Sequence, residues 1–449
     1  MRATRNSHAL GGWAFICLST LLAVGTRADE SNDLRDQLRQ LQQQNSQLQQ
    51  QLLHQQQLID DLSHRLSDVE AENQKHGTET GATKAEVEQP TTATAESSKP
   101  FAFGKLILSG EGGVAFFDSG SDGQYPHAEF RIDEARLFVD AQVWDDTYFF
   151  TELDLATRES SSIETSLEEL YLDFENVSRL WNHDRLLNIR VGRFDIPFGE
   201  EYLARYAIDN PLIAHSLSDI WGVDEGVELY GDIGKFDYVL AVQNGGANLD
   251  DFNADKAVVG RIGYDPTKWL RLSASGMRTG NLAVQGDGVS ALWFGNADIG
   301  PLGSPSTTTT FHAELAEGDI QLRLPRGQIK AAGGYLHYDD NDTAADNHRD
   351  VYYYYVEGRY DVTRKLYGAV RFSQILADHG FPIVGNGDFE DYYFEELTKN
   401  LWLLTVGTGY RFSPNLVLKV NYSFEGGREL EGDPRDNEEL FATELAFRF

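Results

Sequence analysis

The stretch Phe441-Ala-Thr-Glu-Leu-Ala-Phe-Arg-Phe449 alternates without a break. Phe441, Thr443, Leu445, Phe447 and Phe449 fall on one side, and Ala442, Glu444, Ala446 and Arg448 on the other. A β-strand has a period of two, so this segment has one greasy face and one charged face. Lipid on one side and water on the other would suit it. A soluble sheet could use the same pattern, so the rest of the chain has to decide.

Working back from that end, the pattern recurs. Leu416, Leu418, Val420, Tyr422 and Phe424 oppose Val417, Lys419, Asn421, Ser423 and Glu425. Tyr352, Tyr354, Val356, Gly358 and Tyr360 oppose Tyr353, Tyr355, Glu357, Arg359 and Asp361. Candidate strands centre on 103–117, 128–143, 146–156, 166–177, 186–195, 225–233, 236–244, 256–265, 268–280, 309–325, 327–339, 350–362, 364–376, 398–412, 415–425 and 439–449. A weaker one lies near 288–296. Membrane strands need ~9–11 residues with alternating short turns and longer loops, so residues 101–449 suit a transmembrane antiparallel β-barrel of about 16 strands. Aromatic residues such as Phe116, Phe149, Trp269, Tyr352 and Tyr393 sit near strand ends, where interface girdles would place them.

The N-terminal hundred residues read differently. Arg2 and Arg5 precede an apolar run from Leu10 to Val24 and then Thr26-Arg27-Ala28, which predicts a signal peptide over 1–28. The single cysteine, Cys17, lies within that run, so the mature chain would have no thiol for catalysis, disulfides or metal. Over 29–76, Leu34, Leu38, Leu41, Leu48, Leu52, Ile59, Leu62, Leu66 and Val69 step by fours and threes, the spacing of an α-helical coiled coil. Residues 77–100 are rich in Thr, Ala, Glu and Ser and predict a disordered linker.

Charge narrows the function classes. The net charge is −33, and from residue 101 onward 58 acidic residues outweigh 29 basic ones. General nucleic-acid binding needs a basic surface and is excluded. The histidines are scattered without an H-E-x-x-H spacing, no G-x-S-x-G elbow occurs, and no phosphate-cradling glycine loop is present. The expectation is a non-enzyme with neither cofactor nor metal.

One segment is more specific: Asn188-Ile-Arg-Val-Gly-Arg-Phe-Asp-Ile-Pro-Phe-Gly199-Glu-Glu. Pro197 has no N–H for a ladder, so the strand should stop there. Residues 200–220 then form a long mixed segment suited to folding inward. The run Arg193-Phe194-x-x-Pro197-Phe198-Gly199-Glu200 resembles the segment before the inward loop of the phosphate-selective porin (O/P type) family, and the chain resembles that family loosely from Phe101 to Phe449. The alternating carboxyl-terminal strand with phenylalanine last also resembles the closing strand of bacterial outer-membrane barrels. The resemblance implies a 16-stranded outer-membrane barrel, usually a homotrimer in lipid, with loops constricting a lumen that passes small hydrophilic solutes, anions such as phosphate among them.

Selectivity would come from lumen charges. Strand parity turns Arg190, Arg261, Arg271, Arg323, Arg359, Arg371, Arg411, Lys419 and Arg448 inward as suspected pore-lining residues, with Glu357, Asp361, Glu425 and Glu444 among them. These cations either draw anions or pair with lumen carboxylates and brace the wall. Acidic residues crowd the loops, lysine is scarce, and no basic loop cluster appears, which departs from a phosphate-selective pattern. An alternative from another class remains open: a structural anchor whose periplasmic coiled coil tethers the outer membrane to the cell-wall layer.

Overall fold

The computed structural model describes residues 101–103, 106–123, 125–156, 165–245, 254–283, 293–294, 297–298, 310–340, 348–381 and 398–449. The expected signal peptide, coiled coil and linker lie outside the described residues. Among the described residues, sixteen strands form the wall of a closed antiparallel barrel. They are β1 (Leu106–Ser119), β2 (Glu129–Trp144), β3 (Thr147–Ala156), β4 (Ser166–Phe174), β5 (Asn188–Asp195), β6 (Val223–Ile233), β7 (Phe236–Gln243) and β8 (Ala257–Thr267). The second half comprises β9 (Leu270–Arg278), β10 (Thr310–Leu324), β11 (Gly327–Asp340), β12 (Arg349–Asp361), β13 (Leu366–Phe381), β14 (Thr398–Ser413), β15 (Leu416–Glu429) and β16 (Leu440–Arg448).

Each strand pairs with the next, and β1 pairs with β16 from Glu111↔Arg448 to Ser119↔Leu440, which leaves no free edge. Of the weaker window near 288–296 only Trp293–Phe294 lies among the described residues, and it pairs with Ala297–Asp298 in a two-stranded piece separate from the wall.

Connections alternate in length. After most even-numbered strands the chain reverses within a few residues, helped by the left-handed conformations of Asp146 and Gly234. The exception, 175–187, carries a short 3-10 helix at Val177–Trp181 between Asn176 and Asn182, both left-handed. The longer connections follow odd-numbered strands, so all of them gather at one rim, here the upper rim.

The wall is inverted relative to a soluble protein. Val114, Phe130, Leu172, Val227, Ile262, Ile320, Val356, Val406, Tyr422 and Leu445 are exposed on the outside. Glu111, Asp133, Arg136, Glu152, Asp173, Glu228, Glu357, Arg371, Lys419 and Glu444 are buried inside. An apolar exterior with charge within is stable only where hydrocarbon is the outer solvent. Aromatic contacts mark both edges of the apolar band: Phe116 with Phe130 (4.9 Å) and Tyr422 with Phe424 (4.8 Å) above, Phe236 with Tyr264 (4.4 Å) and Tyr410 with Phe412 (5.1 Å) below.

The seam between β1 and β16 has its own packing. The backbone of Gly110 and Phe449 exchanges hydrogen bonds of 2.9 and 3.2 Å. On the outer face the rings of Phe447 and Phe449 lie over Gly112 and Gly110, where a side chain on either glycine would collide with them.

Candidate functional site

The connection between β5 and β6, residues 196–222, does not stay at the rim. Leu212, Ile213, Leu217 and Ile220 are at most 3% exposed, and they pack against side chains of the inner wall. The loop therefore runs through the lumen, and its two arms are held in different ways.

The near arm is anchored by apolar packing. Phe194, Ile196, Phe198, Leu217 and Ile220 join one cluster with wall residues that include Val259 of β8, Met277 of β9, Leu315 of β10, Tyr353 of β12 and Leu403 of β14. These wall residues lie toward the upper ends of their strands, where the inner face is greasy instead of charged. Pro197 is buried within this turn. Gly199 follows in a left-handed conformation (φ +68°), and a side chain there would meet the carboxylate of Glu317. Its N–H donates to Ser275 Oγ (3.0 Å), and its carbonyl accepts from Arg261 (2.7 Å). Glu200 accepts from Arg271 Nε at 2.8 Å.

The far arm is anchored by polar groups of the opposite wall. Lys419 Nζ donates to the carbonyls of Ala207 (2.7 Å) and Leu212 (3.2 Å) and pairs with Glu444 (2.5 Å). Arg371 donates to Ala214 O (2.7 Å) and Asn210 Oδ1 (3.0 Å) and pairs with Glu357. Ile213 N–H donates to Asn421 Oδ1 (2.8 Å) and Tyr367 OH to Pro211 O (3.1 Å), while on the near arm Leu217 N–H donates to Ser373 Oγ (3.1 Å). On the other flank, Glu134 accepts from Ala207 N–H (2.5 Å) and Glu152 from Tyr206 OH (3.0 Å). Asp209 meets Arg448 at 2.6 Å.

Within the loop, Glu201 bridges the arms by accepting from Ser216 N–H (3.2 Å) and Ser216 Oγ (2.5 Å). Burial, with Asp219 nearby, pushes the Glu201 carboxyl up to about 7. Burial acts on Asp219 in the same sense, but Arg205 (3.2 Å) and His215 (2.9 Å) override it and hold its carboxyl well below the usual range. Arg205 also lies over the Trp221 ring at 3.8 Å.

The nine cations expected to line the pore divide by partner. Seven meet a carboxylate: Arg190 with Asp173 and Glu228, Arg271 with Asp237 and Asp265, Arg323 with Asp265, Arg359 with Asp361, Arg371 with Glu357, Lys419 with Glu444, and Arg448 with Glu111. Arg261 is given to Gly199 O and Tyr202 OH, and Arg411 lies over the Tyr367 ring at 4.6 Å. Of the motif residues, Phe194, Pro197, Phe198, Gly199 and Glu200 build the base of the loop. Arg193 stands apart, because its cross-strand neighbours are Leu170 and Glu225, and it pairs with Glu225 (2.9 Å). Sequence reasoning did not single out Tyr206, Tyr367, Ser373 or Asn421 as loop contacts. Parity could place Tyr367, Ser373 and Asn421 inside, but nothing in a sequence pairs positions 156 or 208 residues apart.

Searches for relatives give structural matches alone. No family model and no curated protein matches the sequence. Among solved structures, OmpT, an outer membrane protein of Vibrio cholerae, aligns with TM-score 0.52 and 12% identity over 78% of this chain and 100% of its own. The outer membrane channel DcaP of Acinetobacter baumannii aligns with TM-score 0.51 and 13% identity, over 77% of this chain and 97% of its own.

The fold is the porin fold.

At such identities the likeness carries architecture alone, matched along nearly the full length of both known chains. Any particular solute is a separate matter, because permeation depends on the side chains and on the course of the 196–222 loop.

Proposed function

We propose that this protein is a passive outer-membrane channel for small hydrophilic solutes, narrowed by the 196–222 loop. The observation that carries this reading is a charged inner wall inside an apolar outer wall, with one long loop drawn into the lumen. Such a barrel speeds permeation by replacing hydrocarbon with water and fixed charge, and no bond changes. The loop sets the size limit, and the proposal includes a homotrimer in the membrane.

Phosphate selectivity is not part of this reading. Seven of the nine inward cations already face a carboxylate, and acidic residues exceed basic ones two to one over the barrel sequence. A lumen with paired cations and surplus carboxylates favours cations modestly. Planar-bilayer recording of purified protein tests both parts. Ohmic single-channel steps with a cation-directed reversal potential in a KCl gradient are expected. An anion-directed potential would restore the phosphate reading, and a silent barrel would favour the anchor. Chemical cross-linking of the purified protein tests the trimer.

A further inference from the structure

The two arms of the lumen loop differ in what holds them, and that difference assigns a role to two wall residues. The near arm rests in an apolar cluster with four of its own side chains and Phe194 of β5. The far arm, 207–214, contributes Ala207, Ile208 and Leu212 to a smaller cluster, and Ile213 to another. It is gripped mainly through its main chain, with Lys419 taking two of its carbonyls, and Arg371 a third together with the Asn210 side chain. Both cations sit inside the wall and are neutralised from behind, Lys419 by Glu444 and Arg371 by Glu357.

We propose that Lys419 and Arg371 are positioning residues for the channel's bore: they pin the far arm of the loop across the lumen, and its release widens the path. This rests on the channel reading. Fixed cations placed among backbone carbonyls hold a segment without regard to its side chains, and only this wall presents two of them to one eight-residue stretch among the described residues. The near arm, bedded in a dry cluster, stays in place when the far end lets go. Neither cation is therefore available to attract a passing solute, although both point inward. Their effect on permeation comes through geometry.

The test uses full-length protein with each cation removed together with its carboxylate, so that no charge is left unpaired: Lys419→Met with Glu444→Gln, and Arg371→Met with Glu357→Gln. Single-channel conductance and the size cut-off for polyethylene glycols are read in planar bilayers, with heat-modifiable gel migration as the check on folding. The expected result is a conductance at least twofold above the parent, a larger cut-off and an unchanged direction of the reversal potential. Asn421→Ala and Tyr367→Phe, which remove neutral grips on the same arm, serve if the charged pairs fail to fold, and should raise conductance less. Folded variants with the parent's conductance and cut-off overturn the proposal while leaving the channel reading intact. A silent parent with conducting variants supports the pin and replaces the open channel with a closed one. Silence in every variant overturns both.

Discussion

Lys419 of β15 and Glu444 of β16 form an ion pair of 2.5 Å in which neither side chain is more than 2% exposed. The two residues are direct register partners on neighbouring strands, and the lysine reaches past its partner to the loop. Buried pairs of this kind are costly to break one at a time, because the remaining charge has no water.

Removing Lys419 alone by Lys419→Met should destabilise the barrel by ~3–5 kcal/mol, the range for an orphaned buried charge. The double variant with Glu444→Gln should recover most of that loss. Guanidinium unfolding of detergent-solubilised protein, followed by tryptophan fluorescence, would measure the difference. Equal losses in the two variants would show that the pair itself contributes little.

Acidity should act on the loop through Glu201. Its carboxyl has been pushed by burial from 4.5 to about 7, so between these values the folded loop keeps a proton that an unfolded chain has released. The stabilising contribution is complete at the acid end and is lost as pH rises through about 7. Channel noise should therefore increase above neutrality, and Glu201→Gln should flatten that dependence. A parent channel equally quiet at pH 5.5 and 8.5 would contradict this.

Gly199→Ala should cost ~1–2 kcal/mol from the left-handed backbone alone, and the new methyl would also press on Glu317. The change strikes the base of the loop and leaves the strand pairing of the wall in place. Fluorescence of Trp221, which stacks with Arg205, should report loosening of the loop at lower denaturant than global unfolding.

Among the inward cations, Arg411 rests on an aromatic ring instead of bridging to the loop. Arg411→Gln should move the reversal potential toward cations by more than either charge-paired double variant does. The outer wall gives a separate check. Val406, 48% exposed on the outer face, changed to Arg should cost ~2–4 kcal/mol of folding free energy in lipid if it stands near mid-depth.

The fold was legible because a period of two is local. Val406 and Tyr422 outside, Thr405 and Lys419 inside, follow from counting, and the strand windows match the wall to within a few residues. The window near 288–296 lies mostly outside the described residues; its Trp293 and Phe294 pair with Ala297 and Asp298 instead of a wall strand. The base of the lumen loop was also legible, since Pro197 and Gly199 act on their own backbone. The roles of the cations were not. Parity gave the direction of Lys419 and Arg371, but what they touch lies 212 and 157 residues away and is mostly main chain, which has no sequence signature. Arg193 sits in the same motif as Phe194, yet one step along a strand sent it to a different neighbour, Glu225.

Arg448 and Glu111, joined across the seam, are separated by 337 positions. Every other wall junction links consecutive strands, so that one contact carries the largest single entropic cost of loop closure. Until it forms, the growing sheet has two raw borders able to recruit foreign strands. Circularisation is thus expected to be the slow and vulnerable moment in the life of this molecule, with phenylalanine rings settling over bare glycines as its last act.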